Sequence, residues 1–170
     1  MSELATRPTG NGPAPSGLAE QVQWLVDRAA ISDLLVEFAR SLDEKDWAAH
    51  VELYLPDGVF MAGDVFRLEG HEELIGTASP QALGQYAATW HLSANHAIHL
   101  DGDTARVRSY LAGVHLLEGA GPTGHADGGG WYDSTMRRTP EGWRLETVRV
   151  TEVWRAGAAM PHVSPPPAAS

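Results

Sequence analysis

The sequence predicts an α+β fold in which helices come first and cover one face of a curved antiparallel sheet. Three observations carry this. Apolar residues recur at helical spacing over residues 18–42, the period becomes two after Gln85, and short turns, Asp101-Gly102-Asp103 and Thr139-Pro140-Glu141-Gly142, join successive strands. A length of 170 residues favours one domain, and 43% hydrophobic content is ample for one core.

In the first helix, residues 18–42, Leu18, Val22, Leu25 and Ala29 keep one stripe and Leu34, Leu35, Phe38 and Leu42 another. A break or face shift near residues 29–32 reconciles the two. Asp46 caps a second short helix over residues 47–53. Pro56-Asp57-Gly58 reads as a turn, and residues 59–61 and 65–68 as a short hairpin around Gly63-Asp64. Residues 70–84 read as a third helix with an irregularity at Pro80. Strands follow over 90–100, 104–118, 131–138 and 143–154, with 119–130 a flexible loop. Residues 1–17 and 157–170 are rich in Pro with Gly or Ala and read as disordered tails around a domain over 18–156.

Composition excludes several function classes. A formal net charge of −10 and a pI near 5.1 leave nothing to neutralise phosphates, which argues against nucleic-acid and anionic-membrane partners. The absence of cysteine removes disulfides, thiolate zinc sites and cysteine nucleophiles. No apolar leader or membrane-spanning stretch is visible, so a soluble cytoplasmic protein is expected. His91, His96 and His99 are spaced five and three apart, which alternates them across a strand and disfavours a shared metal. Gly128-Gly129-Gly130 precedes a strand and has no following Lys-Ser/Thr, so it serves close backbone approach or loop mobility rather than phosphate binding. No Gly-x-Ser-x-Gly elbow supports acyl-enzyme chemistry.

Three side chains remain as candidates for acid–base work without metal, cofactor or nucleophile: Asp43, His91 and His115. Asp43 ends the apolar stripe of the first helix and is either a surface turn residue or a pocket carboxylate. His115 shares a strand face with Ala105, Val107, Ser109 and Leu111, so it points inward, as a satisfied structural histidine or as a general base. Alternation puts His91 on a polar face with Ser93 and Asn95, which is solvent or a wet pocket wall; a bulge would change the count. Tyr54, Asn95 and Tyr132 could hydrogen-bond a substrate carbonyl or hydroxyl, and Trp47 and Trp131 flank the pocket elements.

The chain resembles the SnoaL-like branch of the NTF2-like superfamily over residues 18–155. The resemblance is carried by Phe38-Ala39-Arg40-Ser41-Leu42-Asp43, by Asp46-Trp47 through Asp57-Gly58-Val59-Phe60, and by His91-x-x-x-Asn95-x-x-Ile98 with Asp101-Gly102-Asp103-x-Ala105. Ser109-Tyr110, Trp131-Tyr132-Asp133 and the segment from Arg138 to Arg144 complete it. Scytalone dehydratase-type members are the most similar, through Leu42-Asp43-Glu44-Lys45-Asp46-Trp47 and two strand histidines at 91 and 115; Leu42 stands where those members carry Tyr. The resemblance implies a cone, a curved antiparallel sheet wrapped around three N-terminal helices with the pocket inside. It also implies homodimers or larger homo-oligomers through the outer sheet face.

The expected function is therefore a cofactor-independent dehydratase, cyclase or isomerase acting on a small oxygenated, polyketide-like metabolite. In this expectation His115, oriented by Asp43, moves the proton and His91 polarises a carbonyl or protonates a leaving hydroxyl. One alternative is epoxide opening with Asp33, Asp43 and Arg67; another is a non-catalytic ligand-binding or oligomerisation module.

Overall fold

The computed structural model describes residues 11–64, 66–75, 82–119 and 124–158. The expected tails beyond residues 11 and 158, the stretch 76–81 of the third helix, Val65, and residues 120–123 of the loop lie outside the described residues. Within them the elements run α1 (Leu18–Asp43), α2 (Trp47–Glu52), β1 (Tyr54–Ala62), β2 (Phe66–Glu69), α3 (Gly70–Glu73), β3 (Ala88–Asp101), β4 (Thr104–Leu116), β5 (His125–Thr139) and β6 (Gly142–Gly157).

The strands form one six-stranded sheet in the order β2-β1-β6-β5-β4-β3. Every neighbouring pair is antiparallel except β1 and β6, which run parallel. The core joins Ile31, Leu34, Leu35, Phe38 and Leu42 of α1 to Ile98, Val107, Met136, Leu145 and Val148 of the sheet. This is the expected α+β layout, helices against one face of the sheet.

Several local expectations change. α1 is a single uninterrupted helix, because Ala29-Ala30-Ile31-Ser32 contains no Gly or Pro to stop it. Its first apolar stripe is not in the core: Leu18, Val22 and Leu25 are exposed. Pro56-Asp57-Gly58 is not a free turn but a bulge within β1, where the register steps from Tyr54↔Leu145 to Val59↔Thr147. The described part of the third helix is one α turn, Gly70–Glu73. The glycine triplet belongs to β5, not to a loop, and its role is close approach. A Cβ on Gly130 would lie 1.9 Å from the Thr151 carbonyl oxygen, and one on Gly129 would lie 2.3 Å from the Trp154 indole nitrogen. Ahead of α1, Gly12 N–H donates to the Ile98 carbonyl and Asn11 Oδ1 accepts from Ile98 N–H along the edge strand β3.

The end of α1 sets the site. Lys45 takes φ 57°, a left-handed position that ends the helix, and its N–H and that of Asp46 return to the carbonyls of Leu42 and Ser41. Asp43 is thus held at the last helical position, facing β3. Lys45 Nζ donates to the Tyr86 carbonyl at 2.6 Å and ties the same corner to the chain entering β3.

Candidate active site

Asp43 receives three hydrogen bonds from β3. Its Oδ1 accepts from His91 Nδ1 at 2.7 Å and from Thr89 Oγ1 at 3.0 Å, and its Oδ2 accepts from the His91 backbone N–H at 2.8 Å. The carboxylate stands at the negative end of a helix dipole and is partly desolvated, both of which disfavour its charge. Burial does push its pKa up, but the His91 side-chain and backbone donors outweigh it and the net shift is downward. Asp43 is therefore an anionic anchor rather than a proton donor.

A carboxylate can only accept, so the proton in this pair sits on His91 Nδ1. In neutral His91 the lone pair is then on Nε2. The His115 ring lies edge-on to the His91 ring, with centroids 5.1 Å apart and planes at 78°. His115 Nδ1 donates to the Ala126 carbonyl at 2.7 Å, which again leaves Nε2 without a proton in the neutral ring. Burial pushes the His115 pKa down, only partly offset by that hydrogen bond. Tyr86 packs behind it at 4.9 Å. The expected pairing therefore differs: Asp43 is hydrogen-bonded to His91, and His115 is held by the Ala126 carbonyl instead.

The β3 bulge explains the side on which each residue lies. The register skips between Ala94 and Ala97, and Asn95 has φ 53°. Before the bulge Thr89, His91 and Ser93 face α1 while Trp90 and Leu92 are exposed. Beyond it the faces exchange, so His96 and Ile98 turn inward. His96 is taken up by Ser32 Oγ at 2.8 Å and Ser93 Oγ at 3.2 Å, a clamp between α1 and β3. Among the described residues, no three His, Asp or Glu side chains are grouped to hold a metal ion.

The remaining sequence candidates divide. Tyr132 is buried, packs on Phe38 at 5.3 Å, and has its pKa raised by burial and then by the Asp43 charge. Tyr54 is buried deeper in the same aromatic cluster, and its hydroxyl has no hydrogen-bond partner among the described residues. Trp47 packs against the core. Asn95 does not join the site, because the bulge turns it to solvent. Trp131 does not join either: it alternates with inward Tyr132, faces outward, and carries the Arg108 guanidinium 4.9 Å above its ring. Asp33 is exposed and Arg67 is paired with Glu69 at the surface, so no Asp33–Asp43–Arg67 constellation forms.

One buried polar group was not legible beforehand. His50 is buried between Phe38 and Tyr54 and donates from Nδ1 to Ser41 Oγ at 2.9 Å, while Ser41 donates onward to the Phe38 carbonyl. Burial, and then the nearby His91, lower its pKa to about 4. Its only sequence signal is its place beside Val51 in a six-residue amphipathic turn. Ser109 is inward and buried, as its strand parity predicts, and its hydroxyl has no hydrogen-bond partner among the described residues.

The SnoaL-like domain family matches residues 23–149. The chain is similar to the uncharacterized protein Rv2910c of Mycobacterium tuberculosis, at 28% identity over 73% of this chain and 84% of that protein. Among solved structures it is similar in fold to a candidate scytalone dehydratase from Novosphingobium aromaticivorans. That pair has a TM-score of 0.74 and 18% identity, covering 88% of this chain and 99% of the other. It is likewise similar in fold to a type 2 hexachlorocyclohexane dehydrochlorinase, LinA, with a TM-score of 0.71 and 18% identity over 85% and 97% of the two chains.

Proposed function

The chain belongs to the SnoaL-like domain family, and we propose that it is a dehydratase, cyclase or isomerase that moves protons with its own side chains on a small oxygenated, polyketide-like metabolite. The observation that carries this is the Asp43–His91 hydrogen bond, which fixes one tautomer and leaves His91 Nε2 as a base beside His115. In a β-hydroxy ketone, His91 Nε2 takes the proton from the α carbon and the electron pair moves into the carbonyl. The hydroxyls of Tyr132 and Tyr54 donate to that oxygen. The imidazolium stays paired with Asp43 and returns its proton to the β hydroxyl, which leaves as water as the double bond forms. Neutral His115 accepts a hydrogen bond from the hydroxyl and holds it near His91. Return of the proton to carbon instead gives isomerisation, and attack of the enolate carbon on a second carbonyl gives ring closure. Proton transfer by a placed side chain supplies roughly 10²–10⁴-fold.

The fold neighbours named a dehydratase and a dehydrochlorinase are consistent with elimination chemistry. The buried Tyr54 hydroxyl, without a hydrogen-bond partner among the described residues, also supports the reading, because leaving such a donor idle costs about 1–3 kcal/mol unless a ligand oxygen uses it. The test is deuterium incorporation α to the carbonyl, followed by NMR in D₂O across a panel of β-hydroxy ketones and phenolic ketones. Exchange should be lost by about 10²-fold or more in His91→Ala. Undiminished exchange in that variant would remove His91 from the chemistry.

The proposal includes a homodimer or larger homo-oligomer through the outer sheet face. Trp90, Leu92, Tyr110 and Trp154 are exposed on it, a larger apolar display than scattered single residues.

A further inference from the structure

We propose that Gly113 is a positioning residue of this site: its bare backbone lets the imidazoles of His91 and His115 converge on one point. This rests on the reading in which both rings face the substrate. Gly113 is directly opposite His91 in the β3–β4 ladder and two residues before His115 on β4. Opposed residues, and residues two apart on a strand, share a face. All three positions are therefore on the inner face, with Gly113 between the two rings.

The space over Gly113 is already filled by those rings. A Cβ there would lie 3.1 Å from His115 Cε1, 3.2 Å from His91 Cδ2 and 3.4 Å from His91 Nε2. These are the edges that carry or adjoin the two Nε2 atoms. Neither ring is free to swing away. His91 is fixed through its Nδ1 and its backbone N–H to Asp43, and His115 through Nδ1 to the Ala126 carbonyl with Tyr86 behind it. An added methyl therefore leaves both anchors in place and moves the reactive edges by a few tenths of an ångström. Directly across from Gly113, Gly128 extends the side-chain-free row one strand further, giving a substrate flat backbone beside the two bases.

The sign of the stability change separates this from a bland reading. Gly113 is not among the positive-φ glycines, so alanine is allowed by the backbone. In an open strand position, Gly→Ala raises Tm. Crowding predicts a fall of roughly 3–10 °C.

The experiment compares Gly113→Ala in the wild-type and in a His115→Ala background. It reads Tm, the ¹⁵N and Cε1–H resonances of the histidines across a pH series, and α-proton exchange. The expected result is a lower Tm, shifted resonances for both His91 and His115 with the His91 Nδ1–H tautomer retained, and exchange reduced about tenfold. The Tm penalty should shrink once the His115 ring is gone. If Gly113→Ala alone does not fold, the double variant should. An unchanged or higher Tm with wild-type histidine resonances overturns the proposal, and so does a double variant that also fails to fold. Shifted resonances with undiminished exchange would leave the geometry standing and sink the acid–base reading instead.

Discussion

Acid should unfold this protein earlier than its carboxylates require, because His50 must be neutral to stay in the core. Its pKa falls from 6.5 to about 4 on folding, caused first by burial and then by His91. Between those values the unfolded chain binds the proton and the folded protein does not. The contribution is therefore intact above about pH 6.5 and is lost as the pH falls toward 4. At 1.36 kcal/mol per unit the whole window is worth about 3 kcal/mol, of which about 2 kcal/mol is gone at pH 5. His50→Phe isolates the effect. It puts a third aromatic ring between Phe38 and Tyr54, and Ser41 keeps its bond to the Phe38 carbonyl. Any packing cost of phenylalanine is the same at both pH values. His96 and His115, also shifted downward, lose stability over the same range in both proteins and cancel. Urea unfolding followed by tryptophan fluorescence at pH 7.5 and pH 5 is the assay. The wild type should lose about 2 kcal/mol more than the variant between the two conditions. Equal losses would show that His50 is charged or solvated in the folded state, and the reasoning would fail.

Further outcomes follow from the same geometry. Asp27, buried on α1, holds the Arg138 guanidinium through bonds of 2.6 and 2.8 Å and accepts from Trp143 Nε1 at 3.2 Å. Asp27→Asn should cost about 2–4 kcal/mol by calorimetry. The Arg138 hydrogen bond depresses the Asp27 pKa, so its share of stability is present above about 3.8 and lost as the pH falls below it. Asp43→Asn should leave the fold intact but allow the wrong His91 tautomer, lowering α-proton exchange by about 10-fold or more with little change in probe affinity; a matched loss of affinity would point to a binding role. Trp90→Glu with Tyr110→Glu should convert the wild-type oligomer to monomer by light scattering with unchanged far-UV circular dichroism, and a monomeric wild type would dismiss the outer face as an interface.

Much of the site was legible because its residues obey local rules. Asp43 was found because the apolar stripe of α1 ends beside it, and His115 because it shares strand parity with Ala105, Val107 and Ser109. The NTF2-like cone implied by the resemblance is the fold observed. His91 was harder, since β3 puts Trp90 and Leu92 outside and His91 and Ser93 inside, inverting the usual relation between polarity and face. Alternation shows which residues share a face but not which face is inside, and the Asn95 bulge exchanges the two halfway along. The wrong placement of Asn95 has the same origin, whereas Trp131 follows plain alternation, opposite in face to its neighbour Tyr132 on β5.

The sequence by itself determined most of the element types, the single core, the antiparallel meander and the chemical identity of the three candidate groups. Spacing and turn residues act within a few residues, and that range is enough for periodicity to be read. Only the tertiary structure decided that Asp43 pairs with His91, that Ala126 holds His115, and that Gly113 lies beneath both rings. Those contacts join residues 48 and 11 apart in the chain, or two strands at one register. They depend on where α1 ends against β3 and on a one-residue bulge, and neither leaves a trace in local composition.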